Sequence, residues 1–172
     1  MTNPGATIEK LCLVCGICCN GVLFKDVELQ PGDDAGRLRT LAHPLETRRG
    51  RIRFPQPCAA LGVDCRCRIY ADRPVRCRDF ECGLLQNVLG GRMEADAALR
   101  TIRATLRRAG EVKELLHELG DTEETLALSL RFQRMRKRLE AGTDDEETAE
   151  TYSRLTLAVH DLNLRLRQSF YS

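Results

Sequence analysis

Nine cysteines occupy positions 12, 15, 18, 19, 58, 65, 67, 77 and 82 of a chain of 172 residues, and none follows. Thiols this dense must be either stapled into disulfides or held by something that binds them. Three features argue against a disulfide framework. The count is odd, and the stretch from Met1 to Leu11 shows no basic segment leading into an apolar one, so no secretory signal is visible. The chain beyond Cys82 also has apolar periodicity enough for a core of its own. A cytoplasmic, reducing setting is therefore expected. There, soft thiolates persist by binding zinc, iron–sulfur clusters or Cu(I).

The first group reads Cys12-Leu13-Val14-Cys15-Gly16-Ile17-Cys18-Cys19. A Cys-x-x-Cys spacing lets one tight turn aim two sulfurs at one metal, and Gly16 supplies the permissive backbone for it. Cys15 and Cys18 repeat the spacing, so one short loop offers three thiols. Cys18 and Cys19 are adjacent, and neighbouring side chains tend to diverge. This pair is suited to bridge two sites, or to send one thiol to the metal and leave the other nearby. Cys58, Cys65, Cys67, Cys77 and Cys82 come about forty residues later, so a metal joining both groups would contribute directly to folding.

Composition narrows the function classes. Formal charge is +2, from 27 Lys and Arg against 25 Asp and Glu, which disfavours a polybasic nucleic-acid binder. No apolar run reaches the length of a membrane span. There is no nucleotide-binding glycine loop and no His/Asp/Ser constellation, so no catalytic residue is assigned and the sequence does not decide whether the protein is an enzyme.

The string Cys12-x-x-Cys15-Gly16-x-Cys18-Cys19 is followed by Pro57-Cys58 and by Cys67-x-Ile69-Tyr70-x-x-Arg73-Pro74-x-x-Cys77-Arg78-x-Phe80-x-Cys82. Together these resemble the YkgJ-type cysteine-cluster family, zinc- or iron-chelating domains with a CxxCxxCC signature. The resemblance covers about residues 10 to 85. It implies a metal-ligand set of Cys12, Cys15, Cys18, Cys19, Cys58, Cys67, Cys77 and Cys82, and gives Cys65 no counterpart. Bacterial ferredoxin spacing fails at Val22, and the radical-SAM spacing fails at Leu11. A second Cys-x-x-Cys, needed for a two-knuckle zinc ribbon, is also missing.

Eight thiolates fit two four-cysteine zinc sites, one [4Fe–4S] cluster with thiols to spare, or a small zinc–thiolate cluster. Two zinc ions with eight thiolates would add four net negative charges. Arg66, Arg68, Arg73, Arg76 and Arg78 either offset that charge or pair with Asp64, Asp72, Asp79 and Glu81. Tyr70 reads as a packed aromatic and Arg73-Pro74 as a turn. His43 is a weaker ligand candidate, and His117 and His160 fall in helical segments away from the cysteines.

Arg48 to Phe54 has the alternation and glycine turn of a short hairpin, its arginines reading as a solvated face. Leu38 to Leu45 reads as a short helix or loop. After Gly90-Gly91, Ala95, Leu99, Ile102, Leu106, Ala109, Val112, Leu116 and Leu119 mark an amphipathic helix that Gly110 would kink or divide. Gly120 reads as its C′ residue, and Asp121 with Glu124 as a capping box for a second helix bearing Leu128, Phe132, Met135 and Leu139. Thr143 and Glu146 would cap a third helix with Tyr152, Leu155, Val159, Leu162 and Leu166 on one face. The basic run Arg131, Arg134, Arg136, Lys137 and Arg138 reads as complementing a helix C-terminus. Leu157 and Leu164 lie off the third stripe, available to the cysteine region, a second subunit or a protein partner.

The expected fold is mainly α: an irregular cysteine-rich metal-bound module with short strands over 1–90, then a helical hairpin or small bundle over 91–172 packed on it. The expected function is chelation of zinc or iron, the metal at least partly structural. The alternative is an iron–sulfur protein with a redox or protein-modification role. A protein partner or self-association through the C-terminal helices is compatible with this reading. A nucleic acid is disfavoured, and no membrane is implied.

Overall fold

The computed structural model describes residues 11–41, 44–142 and 145–171. It is 55% helical with one small sheet, the mainly α architecture expected. Residues 11–15 are helical (α1), and Gly16, at φ +58°, turns the chain out of that helix. The order continues β1 (Asp26–Glu28), α2 (Ala35–Thr40), β2 (Glu46–Arg48), β3 (Arg51–Pro55), a single 3₁₀ turn (Tyr70–Asp72), α3 (Val75–Asp79), α4 (Gly83–Leu89), α5 (Ala95–Glu118), α6 (Leu128–Glu140) and α7 (Glu146–Ser169).

The three strands form an antiparallel sheet in the order β1-β3-β2, with Val27 opposite Phe54 and Thr47 opposite Ile52. Arg49 and Gly50, both at positive φ, make the two-residue turn between β2 and β3. Two of the hairpin arginines are paired rather than merely solvated. Arg53 holds Asp26 at 2.9 Å and Glu28 at 2.5 Å, and Arg51 reaches Glu28 at 3.1 Å. Phe54 points to the other face and is fully buried. Beside the sheet a small core joins Leu38, Ala60 and Ile69, with Cys58 and Cys67 packed against it.

The large core lies between α5 and α7, through Ala98, Ile102, Ala109, Val112 and Leu116 against Leu155, Ala158, Leu162 and Leu166. The helices run antiparallel: Arg108 meets Asp161 at 2.7 Å while Glu118 meets Arg154 at 3.8 Å. Leu11, Ile17, Val22, Leu23, Leu84 and Leu85 belong to the same core, so the first cysteine loop and α4 rest on the helices. Three hydrogen bonds to backbone carbonyls fix that docking. Leu128 donates to the carbonyl of Gly21 at 2.9 Å, Gly83 to that of Phe170 at 3.1 Å, and the Tyr171 hydroxyl to that of Leu23 at 3.4 Å. At Gly21, where φ is +79°, a Cβ would stand 3.1 Å from the Ala127 Cα and 3.2 Å from Pro57, so only glycine fits.

Several expectations are corrected here. α5 runs unbroken through Gly110, because the apolar stripe on either side is buried as one surface. Gly120 does end it: its N–H reaches His117 at 2.8 Å and that of Asp121 reaches Leu116 at 2.9 Å, a Schellman closure. Asp121 and Glu124 do not form a capping box, since α6 starts only at Leu128, after Ala127. The Asp121 carboxylate instead accepts a 2.6 Å bond from the Arg131 Nε, both side chains only 6% exposed. Arg131 is thus a buried first-turn residue, and the C-terminal charge complement of α6 narrows to Lys137 and Arg138. The α7 cap is Asp145, which accepts from the Thr148 N–H at 2.8 Å, while Thr143 lies outside the described residues. Leu157 and Leu164 stay exposed, because the buried stripe of α7 faces α5.

Candidate metal centre

Local geometry explains how two distant cysteine groups meet. Cys12 and Cys15 lie on α1, one turn apart, anchored by the buried Leu11 and Ile17. The Gly16 carbonyl then accepts from both Cys19 and Asn20 at 2.9 Å, closing a turn that carries Cys18 and Cys19 to the same side. The Cys58 N–H donates to the Cys19 carbonyl at 2.7 Å and so sews the second group to the first. Leu61 forms an antiparallel bridge with Cys67, and the intervening turn places Cys65 at φ +63°. Cys77 sits within α3, whose first amide, that of Val75, is capped by Asp33 at 2.8 Å. Cys82 is the residue before α4.

A cavity of about 410 Å³ opens between these pieces, lined by Cys12, Cys18, Cys19, Cys58, Cys65, Cys67 and Cys77. Cys15 and Cys82 lie behind it against the large core. Cys18 and Cys19, expected to diverge, have their Sγ atoms 3.5 Å apart. The tight turn on Gly16 holds both on one side. Cys65 also faces the cavity, its Sγ 3.4 Å from where a Gly16 Cβ would be.

Burial dominates the acidity of most of these thiols, because a thiolate stripped of water is costly. It pushes Cys12 up to about 11 and Cys15 and Cys77 up to about 12, and it also raises Cys58 and Cys82. Cys12 is open to solvent through the cavity, but the surrounding walls still displace bulk water. Within the touching pair, the hydrogen bond between the two thiols lowers Cys18 and raises Cys19. Repulsion from other thiolates adds to the rise at Cys12, Cys15 and Cys77.

Two of the arginines take the expected roles, Arg73 the compensating one and Arg66 the pairing one. Arg73 stacks 3.7 Å over the Tyr70 ring, donates to the Tyr70 carbonyl, and its charge lowers Cys12, Cys18 and Cys77. Arg66 pairs with Asp64 at 3.6 Å, Asp72 is held by Arg37 at 3.3 Å, and Arg68 donates to the Ala59 carbonyl. Tyr70 is half-exposed as the platform under Arg73 rather than packed inside. His117 and His160 lie exposed on α5 and α7, and His43 lies outside the described residues.

Two participants carry no sequence signal of their role. Asp33 caps α3 from a distant loop, a pairing no local motif announces. Gln56 lines the cavity almost wholly buried, and its Oε1 has no hydrogen-bond partner among the described residues. Its position beside Pro57-Cys58 is plain in the sequence, its burial is not.

The donor chemistry fits a thiophilic metal: soft sulfurs, restricted water and one nearby guanidinium. Among the described residues, no three of the His, Cys, Asp and Glu side chains already converge on one ion. The fit is therefore one of donor type and neighbourhood.

Fold and donors together define a mainly α protein carrying a thiol-lined, metal-chelating region. The chain belongs to the CxxCxxCC family, described as "Putative zinc- or iron-chelating domain", whose model matches residues 11–96, half of the chain. Comparison with curated proteins and with solved structures finds no match. No helix among the described residues is long and apolar enough to cross a membrane.

Proposed function

We propose that this protein chelates zinc or iron through Cys12, Cys15, Cys18, Cys19, Cys58, Cys67, Cys77 and Cys82, the metal being at least partly structural. The observation that carries the reading is the meeting of separate cysteine stretches around one cavity, sewn by the Cys58–Cys19 backbone bond. Residues 1–90 act as the metal module, and 91–172 as a helical extension packed on it. A reducing, cytoplasmic compartment suits a cluster of thiols.

A bound metal supplies positive charge that stabilises thiolates and cross-links the loops that bear them. The chain's own contribution is to keep water scarce around the sulfurs, so that binding displaces protons rather than a hydration shell. Arg73 offsets part of the negative charge that several thiolates bring to one ion. The number of thiols that line the cavity also suits a second reading, an iron–sulfur centre with a redox or protein-modification role.

The test is metal and acid-labile sulfide analysis of protein purified without oxygen, with an ultraviolet–visible spectrum. Zinc or iron at about one or two ions per chain is expected. Cys15→Ser and Cys77→Ser should lower that content, and Cys65→Ser should leave it unchanged. Iron with matching sulfide would favour the second reading. A chain that neither carries metal nor takes up added Zn²⁺ would overturn both.

A further inference from the structure

We infer that the outer face of α5 pairs with the same face of a second copy of this chain, antiparallel and about a two-fold axis beside Gly110. The inference is independent of the chelation reading, since it concerns the helical half of the molecule and invokes no metal.

Arg100, Arg103, Arg107, Glu111, Glu114 and Glu118 recur at three- and four-residue steps, so they share one face of a helix. In α5 all six are exposed, on the side away from the stripe that Ala98, Ile102 and Ala109 bury. The charges are sorted rather than mixed, with three arginines in the N-terminal half and three glutamates in the C-terminal half. That order works against the helix that carries it. Like charges stand four residues apart at Arg103 and Arg107 and again at Glu114 and Glu118, and such neighbours destabilise an isolated helix. Glu118 also sits in the last turn, where the helix dipole favours a cation.

The chain itself answers only part of this. Glu111 is met by Arg108, and Glu118 by Arg154 at 3.8 Å, and both glutamates stay half-exposed. Arg100, Arg103, Arg107 and Glu114 have no ion-pair partner among the described residues.

A second copy laid antiparallel supplies the missing partners. Arg107 and Glu111 stand two residues either side of Ala109, Arg100 and Glu118 nine either side, and Arg103 and Glu114 six before and five after. A two-fold axis at that level sets each arginine of one copy opposite a glutamate of the other, and every contact is made twice. A parallel pairing would set arginine on arginine, so the charge order selects the antiparallel arrangement. The same order disfavours a polyanion as the occupant, because the glutamate half would repel it.

Gly110 lies at the crossing point, three residues after Arg107 and four before Glu114. A Cβ there would meet nothing within 4 Å, so no neighbour in this chain requires a residue that weakens a helix interior. Bare backbone at the crossing lets two helices approach closely enough for the charged side chains on either side to meet. Contacts between exposed charges are individually weak and are screened by salt. The pairing is therefore a reversible dimer favoured by low ionic strength and high concentration.

The test is sedimentation velocity of the full chain from micromolar to millimolar concentration, at low and high salt, with the thiols kept reduced. A monomer–dimer equilibrium is expected, and salt should shift it towards monomer. Arg103→Glu alone and Glu114→Arg alone each set like charges opposite one another twice, and each should weaken the dimer about tenfold. Mixing the two variants should restore association, because each then meets its complement across the axis. The double variant Arg103→Glu/Glu114→Arg should pair like the unsubstituted chain. Gly110→Gln should weaken the dimer without loss of helix content by circular dichroism. A chain that is monomeric at every concentration would overturn the inference. So would a dimer indifferent to salt and to both reversals, or reversals that fail to rescue one another. Metal content should be the same in all these variants, so failure of the pairing leaves chelation untouched.

Discussion

Twenty buried residues, from Leu11 to Phe170, make up the core between and around α5 and α7, whereas three, Leu38, Ala60 and Ile69, make up the core beside the sheet. Apolar burial stabilises in proportion to the area removed from water, so the large core supports its helices far more than the small one supports the segment from β1 to α3. That segment carries Cys58, Cys67 and Cys77, which a bound metal would cross-link. The comparison teaches that the helical region stands on apolar packing, whereas the segment from β1 to α3 has little of it and, on the chelation proposed above, depends on its thiols.

The largest expected effect probes the packed region. Asp121→Ala strands Arg131 as a buried unpaired charge and should destabilise the protein by about 3–5 kcal/mol, read as a lower urea midpoint. Zinc content should be unchanged where the variant remains folded. Loss of zinc in step with stability would erase the contrast between the regions.

A second effect probes the thiol region through pH. Burial raises Cys12 to about 11 and Cys15 and Cys77 to about 12 from the ordinary 9.0, so the folded metal-free protein holds these protons more tightly than the unfolded chain. Their contribution is complete below pH 9.0 and is lost as pH rises towards 12. Metal-free protein should therefore show a falling Tm across that window. Added Zn²⁺, which binds the deprotonated thiols, should reverse the trend, with proton release measurable by calorimetry in buffers of different ionisation enthalpy.

The smallest effect sharpens the account of α5. Gly110 lies mid-helix, and a Cβ there would meet nothing within 4 Å. Gly110→Ala should therefore stabilise by about 0.5–1 kcal/mol without altering metal binding. A destabilised variant would mean that the helix needs glycine there for a reason its packing does not show.

Helical order was legible because α5, α6 and α7 bury stripes at three- and four-residue steps, and a stripe is a local signal. The starts of α6 and α7 were less legible. Asp121 looks like a cap by spacing, yet it is claimed by Arg131, ten residues away and brought near only by tertiary packing. The hairpin was legible from Arg49-Gly50, but β1 as the partner of β3 was not, since its three residues carry no periodicity of their own. In the cysteine region, residue type and spacing indicated chelation, and Gly16 marked the turn. What they could not disclose is which elements seat the thiols, because Cys82 shares the large core with the first loop and Cys58 meets Cys19 through a backbone bond. Both are long-range facts.

Hydrogen exchange of the full chain, compared between metal-loaded and metal-stripped forms, tests the central claim most directly. The account predicts that stripping removes protection from amides in β3 and the 58–79 segment, while those buried in α5 and α7 stay protected. Equal loss across both regions, or no loss in the cysteine segment, would contradict it.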